Sequence, residues 1–275
     1  MSKPYIHGHH SSVLRSHTWR TVENSCAHLL PYLTSPSLNI LDVGCGPGTI
    51  TVDLASRIPQ GSILAIDPSA EVIEKARKHA QEKNVSNVRF EVGDIFDWKA
   101  LDGVEEATFD IVHAHQVLQH LQDSLSALQV MKRLTKPGGI VAVRDVDYSA
   151  CTWYPEIEGM REWLDLYIRV AQGLKGDPNI GKKLHAVAIQ AGFERSEIET
   201  SVGTWTFSTP EERAFWCGLW ADRTVQSSFK SNAIESGHAT EADLQRIVET
   251  WRDLEGREDG WFTVMNGQII CHVKS

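Results

Sequence analysis

The 275-residue chain has no uninterrupted apolar run of the roughly 18 residues that a membrane-spanning helix needs, so a membrane span is not expected. It has no concentrated block of Lys and Arg, and its formal net charge is -9, which argues against a nucleic acid partner. It has no C-x-x-C spacing. The five cysteines, Cys26, Cys45, Cys151, Cys217 and Cys271, are odd in number and scattered, so neither a disulfide framework nor a cysteine metal site is expected. The opening MSKPYIHGHH lacks the apolar segment of a secretion signal, and cytoplasmic residence is the default expectation. His7, His9 and His10 have no acidic residue among them and no H-E-x-x-H spacing, so a polar arm is expected there and no metal.

What the chain does have is a glycine corner. Ile40-Leu41-Asp42-Val43 is a short apolar run that breaks into Gly44-Cys45-Gly46-Pro47-Gly48 and resumes as Thr49-Ile50-Thr51-Val52-Asp53-Leu54. That reads as a buried strand, a glycine turn and the start of a helix. Glycines admit backbone conformations and close approaches that a Cβ would block, so the loop suits a bulky adenosine-containing ligand. The dinucleotide fingerprint G-x-G-x-x-G is not met, because the third glycine comes one residue early at Gly48.

Strand and helix then alternate. Ser62 to Ile66 is a second strand ending in Asp67-Pro68-Ser69, and Glu71 to Glu82 follows as a helix. Asp67 lies 19 residues beyond Gly48, where an acid suits the vicinal hydroxyls of a ribose or, equally, caps the next helix. Val88 to Val92 runs into Gly93-Asp94-Ile95-Phe96, a place for Asp94 to meet an adenine amino group and for Ile95 to cover the ring. Phe109 to Ala114 leads into His115-Gln116-Val117-Leu118-Gln119-His120-Leu121, then a helix that stops at Lys136-Pro137-Gly138-Gly139. Ile140 to Val143 is the fifth strand, with Arg144-Asp145 as an ion pair or ligand contact at its end. Five such alternations predict a mostly parallel sheet covered on both faces, with ligands at the carboxyl ends of its strands.

Upstream, Trp19, Val22, Cys26, Leu29 and Leu30 give helical spacing from His17 to Leu30, which places Arg20 and Asn24 on one face, with Arg20 a partner for a ligand carboxylate. Downstream, seven of the nine tryptophans lie beyond residue 150, which marks a region of different character. Trp216 and Trp220, four apart, share a helix face and with Trp153, Trp163 and Trp205 are candidates to line a lid over an apolar ligand, or else to glue added helices to the sheet. Glu197 to Phe207 alternates as a strand, and Trp261 to Val273 is expected to pair as a hairpin turning at Asn266-Gly267.

Ile40 to Gly48, Asp67, Gly93-Asp94-Ile95 and Lys136-Pro137-Gly138-Gly139 together resemble the class I S-adenosylmethionine-dependent methyltransferases. The resemblance implies an α/β, Rossmann-like seven-stranded sheet, mostly parallel with the last strand antiparallel, carrying helical lid insertions. It implies one domain over 1–275: an N-terminal arm and helix at 1–37, a cofactor core at 38–147, and substrate-lid insertions at 148–190 and 208–258. It implies S-adenosyl-L-methionine as cofactor and S-adenosyl-L-homocysteine as product. Gly44, Gly46 and Gly48 would cradle the cofactor, Asp42 would order the loop, Asp67 would bind ribose, and Asp94 with Ile95 would hold adenine; Cys45 and Pro68 complete these contacts. His113 to Gln116, including His115 and Gln116, would pass its methionyl part. A closer resemblance, through Ser11 to Ser25 and Val117 to Leu121, is to fungal members of the ubiquinone and menaquinone C-methyltransferase-like group, among them the gliotoxin thiol-methylating type. It implies S-methylation of both thiols of reduced dithiogliotoxin, a small hydrophobic thiol substrate.

Such a transfer asks mainly for alignment and exclusion of water. A thiol ionises near pH 8.5, so no dedicated base is compulsory; His115 and His120 are the candidates if one acts. Carbon or oxygen methylation of a quinone-like or phenolic molecule uses the same donor site, and a cofactor-binding protein without turnover is the non-enzymatic alternative.

Overall fold

The structure, a computed structural model, describes residues 16–274. Its centre is a seven-stranded sheet of β1 (Asn39–Val43), β2 (Ser62–Asp67), β3 (Val88–Val92), β4 (Phe109–His115), β5 (Thr135–Tyr154), β6 (Ile198–Phe207) and β7 (Trp261–His272), in the order β3-β2-β1-β4-β5-β7-β6. The first five strands are parallel, and β7 runs antiparallel to both β5 and β6.

The inner strands are apolar throughout because both faces are covered, and strand alternation sorts their side chains. Ile40, Ile63, Ala65 and Ile270 face a core with α2 (Thr49–Arg57), α3 (Ala70–Glu82) and the N-terminal residues Val22, Cys26 and Leu29; α1 (Val22–Ser25) opens that segment. Leu41, Val43, Leu64 and Ile269 face the opposite core with α4 (Ser124–Leu134) and α6 (Leu184–Gln190), α5 being Glu158–Gly173. Leu184 and Ala188 of α6 belong to this sheet core.

The remaining helices, α5, α7 (Pro210–Gln226), α8 (Ser228–Glu235) and α9 (Glu241–Gly256), form a cap with a core of its own. Capping boxes start α7 at Thr209 with Glu212 and α9 at Thr240 with Asp243. The cap rests on strands that outrun the rest of the sheet: past a bulge after Asp147, Trp153 and Tyr154 of β5 pair with Phe262 and Trp261 of β7. Trp163 packs edge-on against Trp220 and Trp251 at 4.8 and 4.7 Å, contacts worth about 0.5–1.5 kcal/mol each beyond their area.

Two expectations are corrected. The helix from His17 to Leu30 is broken into the short α1, N-capped by Thr21 in a box with Asn24, and a 3-10 turn Ala27–Tyr32 containing Pro31. The carbonyls freed by the break at Cys26 are taken up from the sheet side by Arg144 and Trp205. The hairpin at Asn266-Gly267 does not form, and β7 runs straight through it. Gly267 serves close approach instead of a turn: a Cβ there would lie 1.9 Å from the Gly181 carbonyl oxygen.

Candidate functional site

At the end of β1 the backbone N–H groups of Gly44 and Cys45 both donate to the Ile66 carbonyl, at 2.8 and 3.0 Å, which fastens the glycine corner to β2. Gly44, Gly46 and Gly48 hold φ of +69°, +57° and +80°, a region L side chains rarely adopt. Gly48 begins α2 and fits tightly, since a Cβ would be 2.9 Å from Ala76 Cβ. A Cβ on Gly46 would meet nothing nearer than His17 Nδ1 at 3.9 Å, so the middle of the corner is an open shelf.

Acidic side chains brace that shelf. Thr51 Oγ1 donates to Asp42 Oδ2 at 2.6 Å, while His113 Nδ1 lies 3.2 Å from Asp42 Oδ1 and its Nε2 lies 3.4 Å from Cys26 Sγ. Burial alone would lower the His113 pKa, but Cys26 and Asp42 outweigh it and raise it above the usual histidine range. Asp67 accepts from Gly46 N at 3.2 Å and Ser69 N at 2.9 Å, so it ties β2 to the shelf; the N-cap of α3 is Ser69, with Pro68 exposed beside it. Asp94 accepts from Phe96 N at 3.0 Å and remains half-buried. Ile95 is 3% exposed within the core, so the side chain expected to cover a ring faces the interior, and the half-buried Phe96 is the apolar neighbour beside it. The Cys45 thiol, pushed well up by burial and then by Asp42 and Asp67, stays protonated.

The end of β4 carries the expected bases. His115 is 6% exposed, and both its ring nitrogens are enclosed without hydrogen-bond partners. Burial, then the charges of Arg20 and Arg144, hold its pKa well below 6.5. His120 is brought down to about 3 by burial and the nearby Arg20 and Arg223, and lines a cavity of about 20 Å³ with Gln119 and Tyr167. Imidazoles so depressed are weak proton acceptors, which removes the main reason to assign either histidine as a base. The Gln116 amide is occupied, donating to Asn266 Oδ1 at 2.6 Å and accepting from Gln119 Nε2 at 2.7 Å.

Arg144 and Asp145 do not pair with each other. The Arg144 Nη1 donates to the Asn24 and Ser25 carbonyls at 3.3 and 3.0 Å, and Trp205 Nε1 also donates to Asn24 O, at 2.8 Å. The Arg20 and Arg144 guanidinium carbons lie 5.3 and 4.9 Å from the Trp205 ring centre. Burial, with a smaller push from Arg20, lowers the Arg144 pKa to about 10. Trp205 is therefore a clamp on the N-terminal segment that carries Arg20. Trp153, Trp216 and Trp220 are 5%, 4% and 0% exposed, with Trp216 stacked on Phe207 at 4.3 Å; they fill the cap's interior instead of lining an open surface. Among the described residues no group of three His, Cys, Asp or Glu side chains is placed to hold a metal ion.

Sequence reasoning missed His28 and Gly203, and read Asn266 only as a turn residue. Gly203 sits in the alternating run of β6, and a lone glycine in a strand signals close approach. A Cβ there would be 2.4 Å from Gln268 Nε2 and 3.1 Å from Arg144 Nη1. Gly203→Ala is expected to shift Arg144 off the Asn24 and Ser25 carbonyls and lower stability by about 1–2 kcal/mol. A thermal melt coinciding with the wild type would show that Arg144 has room to spare.

The residues present suit an adenosine-bearing cofactor: an open glycine shelf, a carboxylate at each of the next two strand ends, and arginines near the end of β4. A family model for a methyltransferase domain matches residues 34–195. An uncharacterized methyltransferase of Schizosaccharomyces pombe is 34% identical over 98% of both chains. The protein named Probable methyltransferase ltbC, of Aspergillus luteorubrus, is 30% identical over 97% of this chain and 96% of its own. Among solved structures, the YcgJ protein of Bacillus subtilis shares the fold with a TM-score of 0.59 at 18% identity, covering 92% of this chain and 99% of its own.

Proposed function

Because this chain belongs to the methyltransferase domain family, we propose that its glycine corner holds S-adenosyl-L-methionine and that it methylates a small acceptor that arrives ionised or nearly so. Bound at the corner, the cofactor supplies a methyl group activated by its sulfonium. The open shelf at Gly46 supports this reading, in which Asp67 would take the ribose hydroxyls and Asp94 the adenine amino group. Arg20 is the residue for its carboxylate.

What supports the acceptor reading is the setting of the two histidines: His115 is buried with both ring nitrogens enclosed, and His120 lies with it near Arg20. Both His115 and His120 are held neutral with little affinity for a proton, and arginines produce part of that depression. The same positive field favours an anionic acceptor over its protonated form. A thiol, with pKa near 8.5, needs only that modest help to present a thiolate. On this reading the acceptor is a small apolar thiol, with both thiols of reduced dithiogliotoxin as the specific substrate proposed. The resemblance through Ser11 to Ser25 and Val117 to Leu121 supports it; Ser11 to Arg15 of that stretch lie outside the described residues.

The test is incubation with labelled methyl donor and matched dithiol, monothiol and phenolic acceptors, with fragmentation of the products. Two successive thioethers on the dithiol are expected. Methyl groups found only on oxygen or carbon would transfer the site to phenolic or quinone-like acceptors, and cofactor binding without turnover on any acceptor would sink the enzymatic reading.

A further inference from the structure

The loop after β4 runs from the glycine corner to a small cavity beneath α5. Val117 lies against the glycine corner, so close that a Cβ on Gly44 would be 2.5 Å from Val117 Cγ2. Two residues later Gln119 and His120 line the small cavity beneath α5. This loop carries local strain, because Gln116 holds φ of +58°, which costs a non-glycine residue about 1–2 kcal/mol. The 3-10 turn that follows, Leu118–His120, has no side-chain cap from its own N-cap residue, Val117.

Two consecutive residues of β5 supply what the loop lacks. Gln116 N donates to the Arg144 carbonyl at 2.8 Å. The next three N–H groups, of Val117, Leu118 and Gln119, converge on one oxygen, Asp145 Oδ2, at 3.1, 2.7 and 3.3 Å. Val146 N donates to the other oxygen at 3.3 Å. Asp145 is fully buried, and burying a carboxylate is costly unless it is well bonded. A nest of successive backbone N–H groups is a natural anion seat, and here the chain's own carboxylate fills it. From the side-chain end, Asn266 holds Gln116, which in turn receives Gln119.

We propose that Asp145 is a positioning residue for methyl transfer: by gathering the N–H groups of Val117 to Gln119 it fixes one loop that packs against the glycine corner at Val117 and lines the small cavity beneath α5 at Gln119. It touches neither reactant, and it sets their mutual alignment through the loop. The alignment part rests on the methyl-transfer reading; the holding of the loop does not.

Asp145→Asn replaces one acceptor oxygen by a donor and should loosen the loop without opening the sheet. In the S-adenosylhomocysteine-bound protein, amide exchange at Val117, Leu118 and Gln119 should speed up about tenfold or more, while S-adenosylhomocysteine affinity stays within about threefold. The saturated methyl-transfer rate should fall about twentyfold or more with acceptor KM nearly unchanged, because misplacement by an ångström is enough for such losses. Unchanged exchange, or a saturated rate within about twofold of wild type, would overturn the proposal. If Asp145→Asn does not fold, Asn266→Ala loosens the same loop from the other end and must give the same split between rate and KM; an unaltered rate there overturns it equally. Should the wild type transfer no methyl group to any acceptor, the functional reading fails alone, and the exchange arm still decides whether Asp145 holds the loop.

Discussion

Gly44→Val is expected to abolish measurable S-adenosylhomocysteine binding and to lower stability by about 3–5 kcal/mol. Two costs add. The backbone at Gly44 stands at φ +69°, which penalises a side chain by about 1–2 kcal/mol, more for a β-branched one. The new Cβ would also sit 2.5 Å from Val117 Cγ2, and overpacking of that kind costs about 1–3 kcal/mol. Because Val117 is held by the Asp145 carboxylate through its own N–H, it cannot simply swing aside. Gly46→Ala is the control that separates folding from binding. Its Cβ meets nothing within 3.9 Å, so it carries only the backbone cost at φ +57° and should fold, yet it places a methyl group on the open shelf. Calorimetry should find its cofactor-product affinity reduced about tenfold or more, equivalent to about 1.4 kcal/mol. Wild-type affinity in Gly46→Ala would mean that the shelf is not the cofactor's seat.

The glycine corner and its bracing acids were legible in the sequence because their determinants are local. A glycine turn between an apolar strand and a helix, and acids at the ends of β2 and β3, need only chain order and strand length to reach one edge of the sheet. Asp42, Gly46 and Asp67 accordingly stand where their spacing placed them, around one loop. The packing of the cap and of the N-terminal segment depends on contacts between residues far apart in sequence. Nothing near Trp205 says that its indole N–H will find the carbonyl of Asn24, so a clamp reads like a lid residue. Trp216 and Trp220 do share a helix face, but periodicity cannot tell a face turned to a ligand from one turned to Trp163 and Phe207. The Asn266-Gly267 pair carries a strong turn signal, and tertiary packing overrides it: Gly181 crosses β7 there, and only glycine leaves room. The helix expected from His17 to Leu30 fails for a related reason, since its apolar spacing is real but Arg144 and Trp205 supply partners for carbonyls that a continuous helix would have used itself.

Acid should unfold this protein well before its carboxylates are fully protonated. His28 and His120 are each brought down to about 3, chiefly by burial, and His115 is held well below 6.5 for the same reason. Both ring nitrogens of His28 are enclosed without hydrogen-bond partners. An unfolded histidine takes up a proton near pH 6.5, whereas His28 and His120 resist it down to about 3 and His115 to well below 6.5, so their contribution to stability is complete above pH 6.5 and is lost as pH falls from there. Asp145 acts in the opposite sense. Burial raises it to about 7, so the folded state binds its proton earlier than the unfolded state does, which adds stability as pH falls from 7 towards 4. Set against three histidines it cancels about one of them. His113, raised above the usual range, contributes below pH 6.5 and loses that contribution only on the alkaline side. The net expectation is a loss of about 1–3 kcal/mol per pH unit between pH 6.5 and 4.5, read by urea melts across that range. His28→Phe removes one of the titrating groups and should flatten the slope by roughly a third to a half. A wild-type stability that stays level from pH 6.5 to 4.5 would show that these rings are protonated in the fold, and the argument that His115 and His120 are poor proton acceptors would fall with it.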